Sequence, residues 1–119
     1  MPSTNVRSIR GFHFVCPKEI GVTKNRDGTL WTGIWAVAEA RVKPAVTLGA
    51  YVALHVARSE RSYLQGVITA WRTRERRYAD GRLRKRKSGI EFQFKPTDDP
   101  FIWPDAGGTG EKAYFYGKD

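Results

Sequence analysis

Acidic side chains are scarce in this sequence. Against 21 Lys and Arg stand 12 Asp and Glu, which leaves a net charge of +9 and a sequence pI near 10.1. Charge of this kind governs association rather than fold, and it favours polyanionic partners over cationic ones. Cysteine is almost missing. Cys16 alone cannot close an internal disulfide. The only histidines are His13 and His55. His13 and Cys16 are close in sequence, but a tetrahedral zinc site would also need His55 and a carboxylate. No metal and no cofactor is expected, and Cys16 reads as a small buried thiol. Long apolar runs are absent as well: no stretch approaches the ~20 residues that span a bilayer. The opening Met1-Pro2-Ser3-Thr4-Asn5-Val6-Arg7 has no apolar signal core. A cytoplasmic protein without membrane contact is the expectation.

What is present suits one folded domain. The 119 residues are 40% hydrophobic and 28% charged, enough to bury a core without disulfides. Residues 1–9 show no periodic pattern and read as a disordered lead-in. Residues 10–119 read as a single domain. Its centre is residues 48–71, where two apolar runs rich in β-branched and aromatic side chains flank a charged break at 58–62. The core candidates there are Val52, Leu54, Val56, Leu64, Val67 and Ile68. Residues 11–16 form a strand with Phe12 and Phe14 on one face, stopped by Pro17. A polar loop with a turn at Asp27-Gly28 follows.

Residues 30–42 fit two patterns. Trp31, Ile34, Trp35, Ala38 and Val42 have helical spacing, whereas Ile34, Ala36, Ala38 and Ala40 alternate. The alanines tip the reading to a short helix, closed by Lys43-Pro44. Ile90, Phe92 and Phe94 alternate with Glu91 and Gln93 as a half-buried strand. Phe101-Ile102-Trp103-Pro104 is an apolar plug, and residues 112–117 are a closing strand. Five or six short strands with one or two short helices give a mainly β, α+β fold, a small mixed β-barrel.

Residues 72–88 are the most basic stretch. Arg72, Arg74, Arg76, Arg77, Arg82, Arg84, Lys85, Arg86 and Lys87 are opposed by Glu75 and Asp80. Asp80-Gly81 between strand-like arms predicts a type I′ hairpin. Its register sets Arg77 against Arg84, Arg76 against Lys85 and Arg74 against Lys87. Facing like charges destabilise a sheet, and a row of phosphates would relieve them. Arg74, Arg76, Arg77, Arg84, Lys85, Arg86 and Lys87 are therefore the candidate phosphate contacts, and a two-stranded ribbon fits the DNA major groove. The alternative is a solvated arm that aids solubility. The 4 tryptophans, Trp31, Trp35, Trp71 and Trp103, exceed what so small a core needs, and a surplus one can stack a base.

Leu48-Gly49-Ala50-Tyr51-Val52-Ala53-Leu54 resembles the hydrophobic-Gly-Asp-then-strand element of the PUA-like superfamily, which includes the EVE, YTH, ASCH and PUA domains. Tyr63-Leu64-Gln65-Gly66-Val67-Ile68-Thr69 resembles the next barrel strand of those domains. Glu39-Ala40-Arg41 is similar to the Glu-x-Arg end of the ASCH signature. Ala50 stands where an aspartate is usual, and Gly33 and Trp35 depart from the ASCH spacing. The similarity covers residues 12–94 at the level of pattern. It implies a compact β-barrel that binds nucleic acid, DNA ahead of RNA, and in the EVE and YTH branches a modified or flipped base held in an aromatic pocket. On that analogy Trp31, Trp35, Trp71 and Trp103 wall the pocket, and Ser62 and Gln65 contact the base edge.

Two other classes stay open. One is a small hydrolase or ribonuclease of the ASCH type, with Glu39, Lys43 and Tyr63 as actors. The other is a basic module that docks on an acidic protein. Gly107-Gly108-Thr109-Gly110-Glu111-Lys112 is not a P-loop, because Glu111 separates the glycine from the lysine. Pro104-Asp105 with Glu111-Lys112 lacks one residue of a metal-nuclease pattern. The oligomeric state is not legible.

Overall fold

The structure is a computed structural model that describes residues 7–17, 21–78, 80–104 and 111–118, with backbone alone for Arg7, residues 84–87 and Lys118. Its elements in order are β1 (Arg7–Val15), β2 (Thr23–Lys24), β3 (Leu30–Trp31), α1 (Glu39–Thr47), β4 (Tyr51–His55), β5 (Leu64–Arg77), β6 (Leu83–Pro96) and β7 (Lys112–Lys118). The 7 strands form one mixed sheet in the order β2-β3-β6-β5-β4-β1-β7. Only β1 and β4 run parallel; every other neighbouring pair is antiparallel. The fold is thus mainly β with one helix among the described residues. No described helix is long and apolar enough to cross a membrane.

The sheet is rolled. In a flat sheet β1 and β6, separated by β4 and β5, would lie roughly 14 Å apart. Instead Phe12 of β1 meets Phe92 of β6 with ring centroids 4.9 Å apart. Trp35 bridges to Ile90 beside β6 and stacks on Phe14 at 4.2 Å. The Lys112 ammonium of β7 donates to the Ala36 carbonyl. Alternate residues fill the inside: Phe12, Phe14, Val52, Leu54, Ile68, Ile90, Phe92 and Phe94 are all buried. Val42 and Ala45 of α1 join this core.

Several expectations are corrected here. Arg7, Ser8 and Ile9 belong to β1, paired with Lys118, Gly117 and Tyr116 of β7, and not to a lead-in. Val67 is 50% exposed because it alternates with buried Gly66 and Ile68, and Val56 is 48% exposed beyond the end of β4. The helix does not occupy 30–42. Trp31 lies in β3, and α1 starts only at Glu39 and contains Pro44. A proline inside a helix costs one backbone hydrogen bond. Burial of Val42 and Ala45 offsets it, and the C-terminal cap fixes where the helix ends. There the Gly49 N–H donates to the Val46 carbonyl at 3.0 Å and the Ala50 N–H to the Ala45 carbonyl at 3.0 Å. This pair is the Schellman cap, which needs a left-handed residue, and Gly49 has φ +81°.

The hairpin register also differs. Tyr78 N–H donates to the Arg82 carbonyl and Gly81 N–H to the Tyr78 carbonyl, with Gly81 at φ +91°. That is a loop one residue longer than the type I′ turn. Arg77 therefore faces Leu83, Glu75 faces Ser88 and Arg74 faces Gly89. Between the first two pairs β5 has Arg76 alone against the four residues 84–87, a bulge on the β6 side. The predicted like-charge oppositions of Arg77 with Arg84 and Arg74 with Lys87 are not formed.

No atom lies within 4 Å of a Cβ placed on Gly49, so a side chain there meets only the backbone penalty. Gly49→Ala should lower stability by roughly 1–2 kcal/mol. Urea denaturation would check this, and an unchanged midpoint would contradict the left-handed cap.

Candidate functional site

The residues that alternate with the core line the outside of the roll. On β1 these are Gly11 and His13, on β4 Tyr51, Ala53 and His55, on β5 Gln65 and Val67, and on β7 Ala113 and Phe115. The segment 101–104 lies over part of this face. It is pinned by Ser62, whose N–H donates to the Phe101 carbonyl at 2.8 Å and whose Oγ accepts the Phe101 N–H at 2.8 Å. Ser62 Oγ also donates to Gln65 Oε1 at 2.6 Å, and Gln65 Nε2 donates to the Thr97 carbonyl. Ser62 and Gln65 are buried and committed to this clamp. They anchor the plug and are not among the residues that line the cleft beside it, unlike the role expected of them.

Beneath the plug lies a group that no sequence pattern announced. His13 and His55 are fully buried, with His13 Nδ1 and His55 Nε2 at 2.8 Å. His13 Nε2 lies 2.7 Å from the Tyr51 hydroxyl, and His55 Nδ1 lies 2.8 Å from the Glu60 carbonyl. Burial, reinforced by the neighbouring His55, lowers the His13 pKa to about 3. Burial also lowers that of His55, partly offset by its bond to the Glu60 carbonyl. The Tyr51 hydroxyl is pushed up to about 12, again by burial. All three groups are therefore held neutral, and burial of both His13 and Tyr51 opposes moving a proton from Tyr51 to His13. Gly11 allows this packing, because a Cβ there would fall inside the Tyr51 ring.

The plug and the outer face enclose a cleft of about 330 Å³ lined by Tyr51, Phe101, Ile102, Trp103, Pro104 and Phe115. Phe101 stacks on Tyr51 at 4.0 Å, and Trp103 sits edge-on to His55 at 5.1 Å and to His13 at 6.0 Å. The Trp103 Nε1–H is buried and has no hydrogen-bond partner among the described residues. Phe115 is 45% exposed and Ile102 69%. The walls are aromatic and apolar, which suits a flat π system.

Of the expected pocket residues, Trp103 alone lies here. Trp31 lies under the Arg72 guanidinium, 4.0 Å from its ring centre. Trp71 faces Phe92 and packs on the core. Trp35, stacked on Phe14, lines a different cleft of about 360 Å³ with Val15, Cys16, Pro17, Gly21, Gly33, Ile34 and Glu111. The walls that sequence reasoning missed, Tyr51, Phe101 and Phe115, carried a signal: each is an aromatic out of phase with the buried residues of its strand or in the plug. Of the proposed enzymatic actors, Glu39 and Lys43 are exposed on α1, while Tyr63 packs on the core and donates its hydroxyl to the Cys16 carbonyl. Among the described residues no three His, Cys, Asp or Glu converge as a metal site.

The β5–β6 arm carries the basic residues. Arg72 and Arg74 share the Glu91 carboxylate at 2.6 and 2.9 Å. Arg77 pairs with Glu75 at 2.6 Å and Arg82 with Asp80 at 2.8 Å. Arg76 is half-buried, and the side chains of Arg84, Lys85, Arg86 and Lys87 lie outside the described residues. Exposed pairs of this kind are worth about 0–1 kcal/mol each and leave the guanidinium groups open to exchange for a phosphate. The Arg72, Arg74 and Arg77 side chains are 41%, 49% and 48% exposed. The register shift between Ile68 and Ala70 keeps Val67, which neighbours Tyr51, and Arg72, which faces Glu91, on the same outer side of β5, roughly 15 Å apart along the strand.

The buried histidines make a pH prediction. In the unfolded chain His13 takes up a proton near pH 6.5, and in the folded chain only near pH 3. The unfolded state then binds more protons across that window, so stability falls as pH drops below 6.5. The upper part of the window lies above ordinary carboxylate titration. The thermal midpoint should fall between pH 6.5 and 5; a flat profile there would contradict the neutral pair. No family model, curated protein or solved structure matches this chain.

Proposed function

We propose that this chain is a nucleic-acid-binding domain, DNA ahead of RNA, that receives an unstacked or modified base in the cleft of Tyr51, Phe101, Trp103 and Phe115. The β5–β6 arm contacts the phosphates. The observation that carries the reading is the presence, on one continuous outer face, of an aromatic cleft and an arginine-lined arm. Each supplies what the other lacks. Stacking on an aromatic wall contributes about 1–3 kcal/mol per base and is indifferent to charge. Arginine–phosphate contacts are long-ranged, release counterions and carry no base preference. The net charge of +9 supplies the attraction that brings a polyanion to this face. The resemblance to PUA-like domains points the same way, although of the four tryptophans it implies Trp103 alone lines this cleft.

Titration of labelled single-stranded and duplex oligonucleotides by anisotropy, at several salt concentrations, tests the proposal. Binding should weaken steeply with salt. Replacing Arg76, Arg77, Arg84 and Lys85 together by Gln should lower the slope of log K against log salt by about 0.9 for each duplex phosphate that is no longer neutralised. Replacing Trp103 by Ala should weaken single-strand binding roughly 5- to 150-fold with the slope unchanged, the range that ~1–3 kcal/mol of stacking implies. Absence of binding at low salt, or a slope untouched by the arm variant, would refute it.

A further inference from the structure

The cleft has a hydrogen-bonding polarity that is set from inside the protein. The Glu60 carbonyl can only accept, so His55 Nδ1 must carry the proton in their 2.8 Å bond. A neutral His55 then has a bare Nε2, and the proton between the two rings belongs to His13 Nδ1. A neutral His13 in turn has a bare Nε2, and the Tyr51 hydroxyl must donate to it. Each tautomer follows from the one before, and the chain ends at the Tyr51 oxygen, on a residue that lines the cleft.

The Tyr51 hydroxyl therefore has no proton to offer a ligand; it presents lone pairs only. Turning it outward would strip buried His13 Nε2 of its donor. Reversing the whole chain would set the His55 Nδ1 lone pair against the Glu60 carbonyl. Among the described residues that line the cleft, the other side-chain polar atom is Trp103 Nε1, which is buried. The lowered pKa values of both histidines keep this single arrangement in force at neutral pH.

Resting on the base-binding reading above, we infer that the cleft selects bases bearing an exocyclic amino group, adenine, cytosine or guanine, over those without one, through donation of that N–H to the Tyr51 oxygen. An amino group projects from the ring and carries the N–H that an accepting Tyr51 oxygen requires. The ring N–H of uracil or thymine is flanked on both sides by carbonyl oxygens, which the Tyr51 lone pairs repel. Tyr51 is then the specificity-determining residue, and His13 and His55 are positioning residues that fix its polarity.

The test changes the ligand rather than the fold. Wild-type protein is titrated with two single-stranded DNA oligomers of equal length and salt, one carrying adenine and one carrying unsubstituted purine, which lacks only the amino group. Adenine should bind about tenfold more tightly, the effect of one hydrogen bond to an otherwise unsatisfied acceptor. Cytosine should exceed uracil in the same sense. Tyr51→Phe, checked for an unchanged fold by circular dichroism, should bind adenine and purine alike. Equal, salt-dependent binding of adenine and purine by the wild type would overturn this inference and leave the base-binding reading standing. No binding of any oligomer at low salt would overturn both.

Discussion

The parallel pairing of β1 with β4 is the constraint on which the rest of the molecule depends. Its register sets Gly11 beside Tyr51, His13 beside Ala53 and Val15 beside His55. One face of the pair then delivers Phe12, Phe14, Val52 and Leu54 to the core. The other face delivers His13, Tyr51 and His55 to the outside of the roll. A slip of one residue would exchange the two faces, burying histidines in the apolar core and exposing phenylalanines. The cleft is therefore a product of the same register that builds the core.

Burying two imidazoles is costly unless every nitrogen is bonded. Here all four ring nitrogens are accounted for, between each other, a tyrosine and a main-chain carbonyl. The plug 101–104 completes the burial, and Ser62 and Gln65 hold the plug. Buried polar residues thus do on the outer face what phenylalanines do inside, fixing one arrangement. The arm follows a different logic. It leaves the packed part of the sheet near Ile90 and Thr73 and gains little from burial beyond that point. Its exposed ion pairs add little stability, which leaves its arginines suited to a partner.

Much of the core is legible in the sequence. Phe12 with Phe14, Val52 with Leu54, and Ile90 with Phe92 and Phe94 alternate as buried strands must, and the closing strand and the apolar plug are also readable. The start of α1 is not, because residues 30–42 fit both periods and Pro44 looks like a stop when it is an interior residue held by a glycine cap. The hairpin register is hidden because Asp80-Gly81 resembles a two-residue turn, whereas Tyr78 and Arg82 close a longer one. The site is the least legible part. His13 and His55 are 42 residues apart, and only the parallel pairing joins them. The tryptophans draw attention by rarity, yet Trp31, Trp35 and Trp71 have packing or stacking partners within the protein, and the cleft is walled mainly by tyrosine and phenylalanine.

The most direct test of the account is photochemical cross-linking of a bound single-stranded oligonucleotide, followed by mapping of the linked residue by mass spectrometry. Adducts are expected on Tyr51, Phe101, Trp103 or Phe115, abolished when salt releases the complex. Adducts confined to Trp31, Trp35 or Trp71, with the cleft aromatics unmodified, would contradict it.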